Sequence, residues 1–176
     1  MNFIDVTTWK QGLLLAPDQF LWLMGGMGIT AVIVFVCLYF VNAGYGKMIS
    51  AKWGPAISNK TAWILMECPV FFVLLYFWAL SPRKFDTAPL IFFLLFELHY
   101  FQRSFIFPFL LKGKSKMPIV IMLMGMIFNT LNGYLQGEWI FFIAPDDMYT
   151  AAWITTPQFI VGVLLFFVGM DINLHS

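Results

Sequence analysis

Charge is scarce in this sequence. Lysine, arginine, aspartate and glutamate make up 11% of its 176 residues, against about 25% in an ordinary soluble domain. Ten basic and nine acidic side chains leave a formal net charge of +1, and no basic face is available to a nucleic acid. Cysteine is nearly absent. Cys37 and Cys68 each fall inside an apolar stretch with no spacing motif, which reads as small buried hydrophobes rather than a disulfide or a metal site. No histidine–cysteine cluster has metal-ligand spacing, so no metal is expected. There is also no glycine fingerprint after a strand, no phosphate loop and no nucleophile–base triad signature. Any redox cofactor would need a site unlike the dinucleotide-binding α/β fold. The N-terminus lacks the basic start and short apolar core of a cleaved signal peptide.

What the sequence has is apolar length. Hydrophobic residues make up 61% of the chain and aromatic residues 19%. A spanning helix needs about 20 mostly apolar residues. Five candidates meet that requirement, at roughly 20–43, 62–80, 88–111, 117–136 and 154–173. Connectors such as NAGYGK, SPRKF, LKGKSK and APDDMY carry turn residues and charge. The expected fold is an all-α integral membrane protein, with residues 1–176 forming one membrane domain. Lys47, Lys52, Lys60, Lys112, Lys114 and Lys116 would share one side of the bilayer. Lys10, Arg83 and Lys84 would share the other, beside the acidic residues Glu138, Asp146 and Asp147. The basic side is expected to be cytosolic, which puts the N-terminus on the opposite face.

Four charged residues interrupt the spans: Glu67, Glu97, Arg103 and Asp171. A charge at the bilayer centre costs about 2.5–3.5 kcal/mol on insertion scales, so each calls for a partner or a task. In FELHYFQRSF, Glu97, Tyr100 and Ser104 recur at helical spacing with Arg103 beside them. Such a group is either a packing network between helices or the wall of a polar site, and Arg103 could also snorkel toward headgroups. Glu67 stands two residues before Pro69, which removes a helix hydrogen bond and makes room for a cavity. A lone glutamate there resists ionisation and would act as a hydrogen-bond donor able to polarise a carbonyl. The alternative is a cross-helix pair with Arg103. In FNTLNGYLQG, Asn129, Asn132 and Gln136 line one face, with Gly133 and Gly137 suited to close helix contact. In GMDINLHS, polar residues alternate through the last turns of the fifth span, as they would in any helix reaching water.

Five stretches in order, AGYGKM (43–48), AWILMECP (62–69), LHYFQRSF (98–105), FNTLNGYLQG (128–137) and GMDINLHS (169–176), together resemble the steroid 5α-reductase family. The resemblance implies NADPH-dependent reduction of the Δ4 double bond of a 3-oxo steroid, giving a 5α-3-oxo product. By position, Glu67 and Tyr100 would hydrogen-bond the 3-keto oxygen and stabilise the charge that develops there. Arg103, Asn132, Asn173, Lys112, Lys114 and Tyr45 would lie on the cofactor side, and Trp63 and Phe107 in the substrate pocket. The cofactor site would face the cytosol. Departures are Phe107 in place of a tyrosine, Met124 in place of an arginine and Asp171 in place of a glycine. The family fold has seven helices, and this sequence reads as its first five, an apparent C-terminal truncation.

Other readings remain open from residues alone. A polyprenol or enoyl-thioester reductase, or a reductase of another lipid enone, would use the same chemistry. A small transporter could use Glu67, Glu97 and Arg103 as an ion path, although neither an inverted repeat nor a pair of broken helices is present. A non-catalytic membrane scaffold is the third.

Overall fold

The computed structural model describes residues 14–41, 44 and 50–175, which fall in two compact units divided at Asn42. Among the described residues, the first contains helix α1 (Pro17–Phe40). Pro17 opens it, where a missing backbone donor costs nothing, and the Ala16 N–H donates to Gln19 Oε1 at 3.1 Å. Its apolar side chains point outward almost throughout, among them Trp22 and Phe35. Lipid tolerates that arrangement where water would not.

The second unit contains four long helices: α2 (Asn59–Leu80), α3 (Thr87–Leu110), α4 (Ile119–Ile143) and α5 (Pro157–His175). With α1 they make, among the described residues, five helices long and apolar enough to cross a membrane, and the protein is an integral, multi-pass membrane protein. The boundaries move in informative ways. The helix expected to end near residue 136 runs on to Ile143 because its last turn widens into a π-helix, Trp139–Ile143. The last helix begins at Pro157 instead of 154, since Ala151–Thr155 forms a separate 3-10 turn.

A small antiparallel ribbon modifies the all-helical expectation. Strands β1 (Ala56–Ser58) and β2 (Lys116–Pro118) pair Ala56 with Pro118, Ile57 with Met117 and Ser58 with Lys116. The Asn59 N–H donates to the Ser115 carbonyl at 3.1 Å and the Ile119 N–H to the Pro55 carbonyl at 2.9 Å. The ribbon therefore starts α2 and α4 side by side. Gly113, at φ +92°, makes the turn before β2 in a conformation that side chains disfavour.

Small residues hold α2 and α4 together. A Cβ placed on Gly133 would lie 3.0 Å from the Val70 carbonyl oxygen, and one on Gly137 would meet the Phe77 ring at 2.7 Å. Van der Waals contact of this kind drives helix association in lipid, where apolar burial gives little advantage. Met122, Asn129, Gly133 and Gly137 form the buried face of α4, while Leu123, Met124, Ile127 and Phe128 are exposed. At the other end, Arg83 Nη1 donates to the Ala144 carbonyl at 2.7 Å, with Asp86 and Asp146 within 4 Å of its guanidinium. This ties the α2–α3 turn to the end of α4. Trp78 stacks on Phe93 at 4.8 Å between α2 and α3, so an aromatic layer seals the same end.

Candidate active site

Glu67 projects from the middle of α2 into the space shared with α3 and α4. Arg103 Nη2 donates to its Oε1 at 2.7 Å, and Asn129 Nδ2 donates to its Oε2 at 3.2 Å. Of the two readings of Glu67, the cross-helix pair is the one present. The carboxyl is therefore not the isolated group expected from sequence, since both of its oxygens accept hydrogen bonds here. The Glu67 side chain is 5% exposed and that of Arg103 20%, so each charge depends on the other for compensation.

Pro69 sits inside α2 without ending it and leaves the Leu65 carbonyl without its usual helical donor. Asn129 Nδ2 also reaches the neighbouring carbonyl of Met66, at 2.9 Å. One amide on α4 thus serves both a backbone carbonyl of α2 and the carboxylate one residue further along it. The sequence placed Asn129 on the polar face of its helix, but nothing there indicated that Glu67 was its partner.

Arg103 is also held by aromatic rings. Its guanidinium carbon lies 4.6 Å from the Trp63 ring centroid and 5.6 Å from that of Phe107, and these two rings meet edge to face at 5.2 Å. A planar guanidinium over ring faces is attracted by their electron density. Trp63 and Phe107, assigned to a substrate pocket by resemblance, therefore also shape the environment of Arg103. The residue lies in a π-helical turn, Gln102–Ile106. Such turns recur at functional sites because the wider turn redirects side chains. Ser104 falls inside it, so the regular stack expected for Glu97, Tyr100 and Ser104 does not continue that far.

Beside this network is a second polar pair. Asn132 Nδ2 donates to the Tyr100 hydroxyl at 3.2 Å, across α4 and α3. A phenol oxygen that accepts this bond still has its own proton to donate. The Phe96 ring lies 4.7 Å from that of Tyr100 and flanks it on the same helix face. Glu97 is 8% exposed, and neither of its carboxyl oxygens has a hydrogen-bond partner among the described residues.

The remaining candidates are more scattered. Asn173 Nδ2 donates to the Gly169 carbonyl of its own helix at 3.1 Å, on an exposed turn. Lys112 and Lys114 are exposed in the turn before β2. Lys114 lines a pocket of about 400 Å³ with Ser58, Asn59, Lys60 and Lys116, at the start of α2. Three lysines, Lys60, Lys114 and Lys116, thus line one cavity, and a concentration of cationic side chains favours an anionic ligand. Tyr45 lies outside the described residues, and no metal-ligand cluster occurs among the described ones.

Comparison with known proteins agrees with the resemblance read from the five motifs. Residues 115–176 match the family model described as 3-oxo-5-alpha-steroid 4-dehydrogenase. The chain is 34% identical over 147 residues to a steroid 5-alpha-reductase of Arabidopsis thaliana, covering 80% of this chain and 55% of that protein. It is 36% identical over 157 residues to 3-oxo-5-alpha-steroid 4-dehydrogenase 2 of Sus scrofa, covering 87% and 60%. With 3-oxo-5-alpha-steroid 4-dehydrogenase 1 of Macaca fascicularis it shares 34% over 137 residues, covering 77% and 51%. The chain thus spans little more than half the length of the curated relatives it matches.

Proposed function

We propose that this chain, similar over most of its length to steroid 5α-reductases, carries the carbonyl-polarising part of an NADPH-dependent reductase of Δ4-3-oxo steroids. The observation that carries the reading is the Tyr100–Asn132 pair. It offers an uncommitted phenol proton within a membrane-spanning bundle, next to a charged network.

As the conjugated double bond is reduced at its β-carbon, negative charge accumulates on the 3-keto oxygen. A donor already fixed at that oxygen lowers the barrier because its interaction strengthens as the charge grows. Tyr100 takes this role, and Asn132 holds the phenol oxygen in place. Glu67 positions Arg103 in the arrangement seen here, and it becomes a second donor to the same oxygen only in its protonated form. Trp63 and Phe107 keep the guanidinium oriented and exclude water. Arg103, Asn132, Asn173, Lys112, Lys114 and Tyr45 are assigned to hold the cofactor, the lysines through its phosphates. NADPH, when bound, would supply the hydride at the β-carbon, and the enolate so formed would take one proton from water at its α-carbon to give the saturated ketone. We place the lysine-bearing loops on the cytosolic side, where that cofactor would approach, and the N-terminus on the other.

The test uses membranes containing the protein, supplied with NADPH and a Δ4-3-oxo steroid, and reads the product by mass spectrometry. A product two hydrogens heavier with 5α configuration supports the reading. Protein that binds both steroid and NADPH yet forms no such product overturns it.

A further inference from the structure

Two amides of α4, three residues apart, each meet a group assigned above to the keto oxygen. Asn132 Nδ2 donates to the Tyr100 hydroxyl at 3.2 Å, and Asn129 Nδ2 donates to Glu67 Oε2 at 3.2 Å. Asn129 is the more deeply buried of the two, at 6% exposed. Its place is set by backbone packing. One turn further along α4, Gly133 brings that helix against Val70, itself one turn beyond Met66 on α2. The same register lays Asn129 on Met66, where its amide donates to the backbone carbonyl at 2.9 Å.

The hydrogen-bond inventory around Glu67 is therefore tight. An asparagine amide nitrogen has two protons, and here one serves Met66 while the other serves Glu67. Anchored on a backbone carbonyl, the amide has no donor left for any other group. Its bond to Oε2 holds the plane of the carboxyl group, because the other oxygen is already fixed by Arg103 Nη2 at 2.7 Å. The two oxygens are not equivalent. A proton added to Oε1 would compete with a charge-assisted bond and sit beside a cation. One added to Oε2 faces a neutral amide and can occupy the lone pair that Asn129 does not use.

We propose that Asn129 is a positioning residue, which orients the Glu67 carboxyl group so that Oε2 is the oxygen that donates to the keto oxygen of the substrate. The inference rests on the reduction proposed above and adds a residue to its machinery. Asn129 touches neither steroid nor cofactor and acts through Glu67. In this arrangement α4 supplies one amide to each donor, Asn132 to the phenol and Asn129 to the carboxyl.

The experiment reads the substrate carbonyl directly, from the infrared band of a Δ4-3-oxo steroid carrying carbon-13 at C3, bound to the full chain in lipid nanodiscs. Donors at the oxygen should lower the band relative to the free steroid. Asn129→Leu, close in size but without a donor, should return it part of the way. Asn129→Ser, smaller and still polar, makes the same test without added apolar bulk. Glu67→Gln should retain much of the lowering, since Arg103 takes the amide oxygen and leaves the amide nitrogen in the place of Oε2. With NADPH added, Asn129→Leu should lower turnover about 10- to 100-fold, the worth of a hydrogen bond to a charged group, with steroid and NADPH affinities within about twofold. A carbonyl band unmoved by both Asn129 substitutions overturns the positioning role, as does a loss of affinity for both ligands with turnover preserved. Loss of the lowering in Glu67→Gln overturns the assignment to Oε2. A band that responds to Asn129 in a chain that never reduces the steroid removes the reductase reading and keeps Asn129. Failure of the unmodified chain to bind the steroid overturns both.

Discussion

Arg103 and Glu67 meet at 2.7 Å across α3 and α2, with the Glu67 side chain 5% exposed and that of Arg103 20%. Removing one member of a buried pair costs about 3–5 kcal/mol, because the remaining charge is left uncompensated. Glu67→Gln and Arg103→Gln should each destabilise the helical bundle on that scale, read by thermal or denaturant unfolding in micelles. The double variant should lose clearly less than the sum of the two. Additive losses would mean that the ion pair contributes little and that each residue acts through other neighbours.

Tyr100→Phe removes one hydroxyl and leaves the ring and its packing on Phe96 unchanged. If the phenol donates to the developing oxyanion, turnover should fall about 100- to 1,000-fold, the usual loss for one such donor. Steroid binding should change far less. Kinetics on purified protein with an enone substrate decide this, and a variant that keeps full turnover removes Tyr100 from the chemistry.

Gly133 and Gly137 make a structural prediction independent of any function. An added methyl at Gly133 meets the backbone of Val70, and one at Gly137 meets Phe77, which is 1% exposed and has no room to retreat. Gly133→Ala and Gly137→Ala should each cost about 1–3 kcal/mol by overpacking. Gly162, which has nothing within 4 Å of its would-be Cβ, provides the control, and Gly162→Ala should be neutral or stabilising. Unfolding midpoints of the three variants settle the comparison.

These cases also show how far the sequence could be read. Five spans were legible because hydrocarbon imposes a length on apolar runs, and the glycine spacing of α4 pointed to close packing for the same reason. Glu67, Tyr100, Arg103 and Asn132 stood out because polar groups in a span must be compensated. What sequence could not supply was the pairing. Helical spacing on one segment does not say which neighbour faces it, so Asn129 as a partner of Glu67 emerged only from the packing of α4 on α2. The π turn at Gln102–Ile106 was hidden for a related reason, since a turn with i+5 bonds has no residue signature and interrupts the spacing from which faces are read. The Trp139–Tyr149 contact joins a helix end to a connecting segment, which periodicity does not address.

Glu97 supplies the last prediction. Its carboxyl group is buried within α3, and both oxygens lack a hydrogen-bond partner among the described residues. Leaving a buried polar group unsatisfied costs about 1–3 kcal/mol, whereas an apolar side chain of similar size carries no such penalty. Glu97→Met should therefore raise the unfolding midpoint, against the common tendency of core substitutions to lower it. The same variant tests the packing network and the ion path considered for this residue from sequence. A stabilised protein with unchanged steroid turnover would assign Glu97 to neither. A destabilised protein would show that the carboxyl contributes a compensating interaction to the fold. A stable protein that has lost turnover would place Glu97 in the working site beside Tyr100.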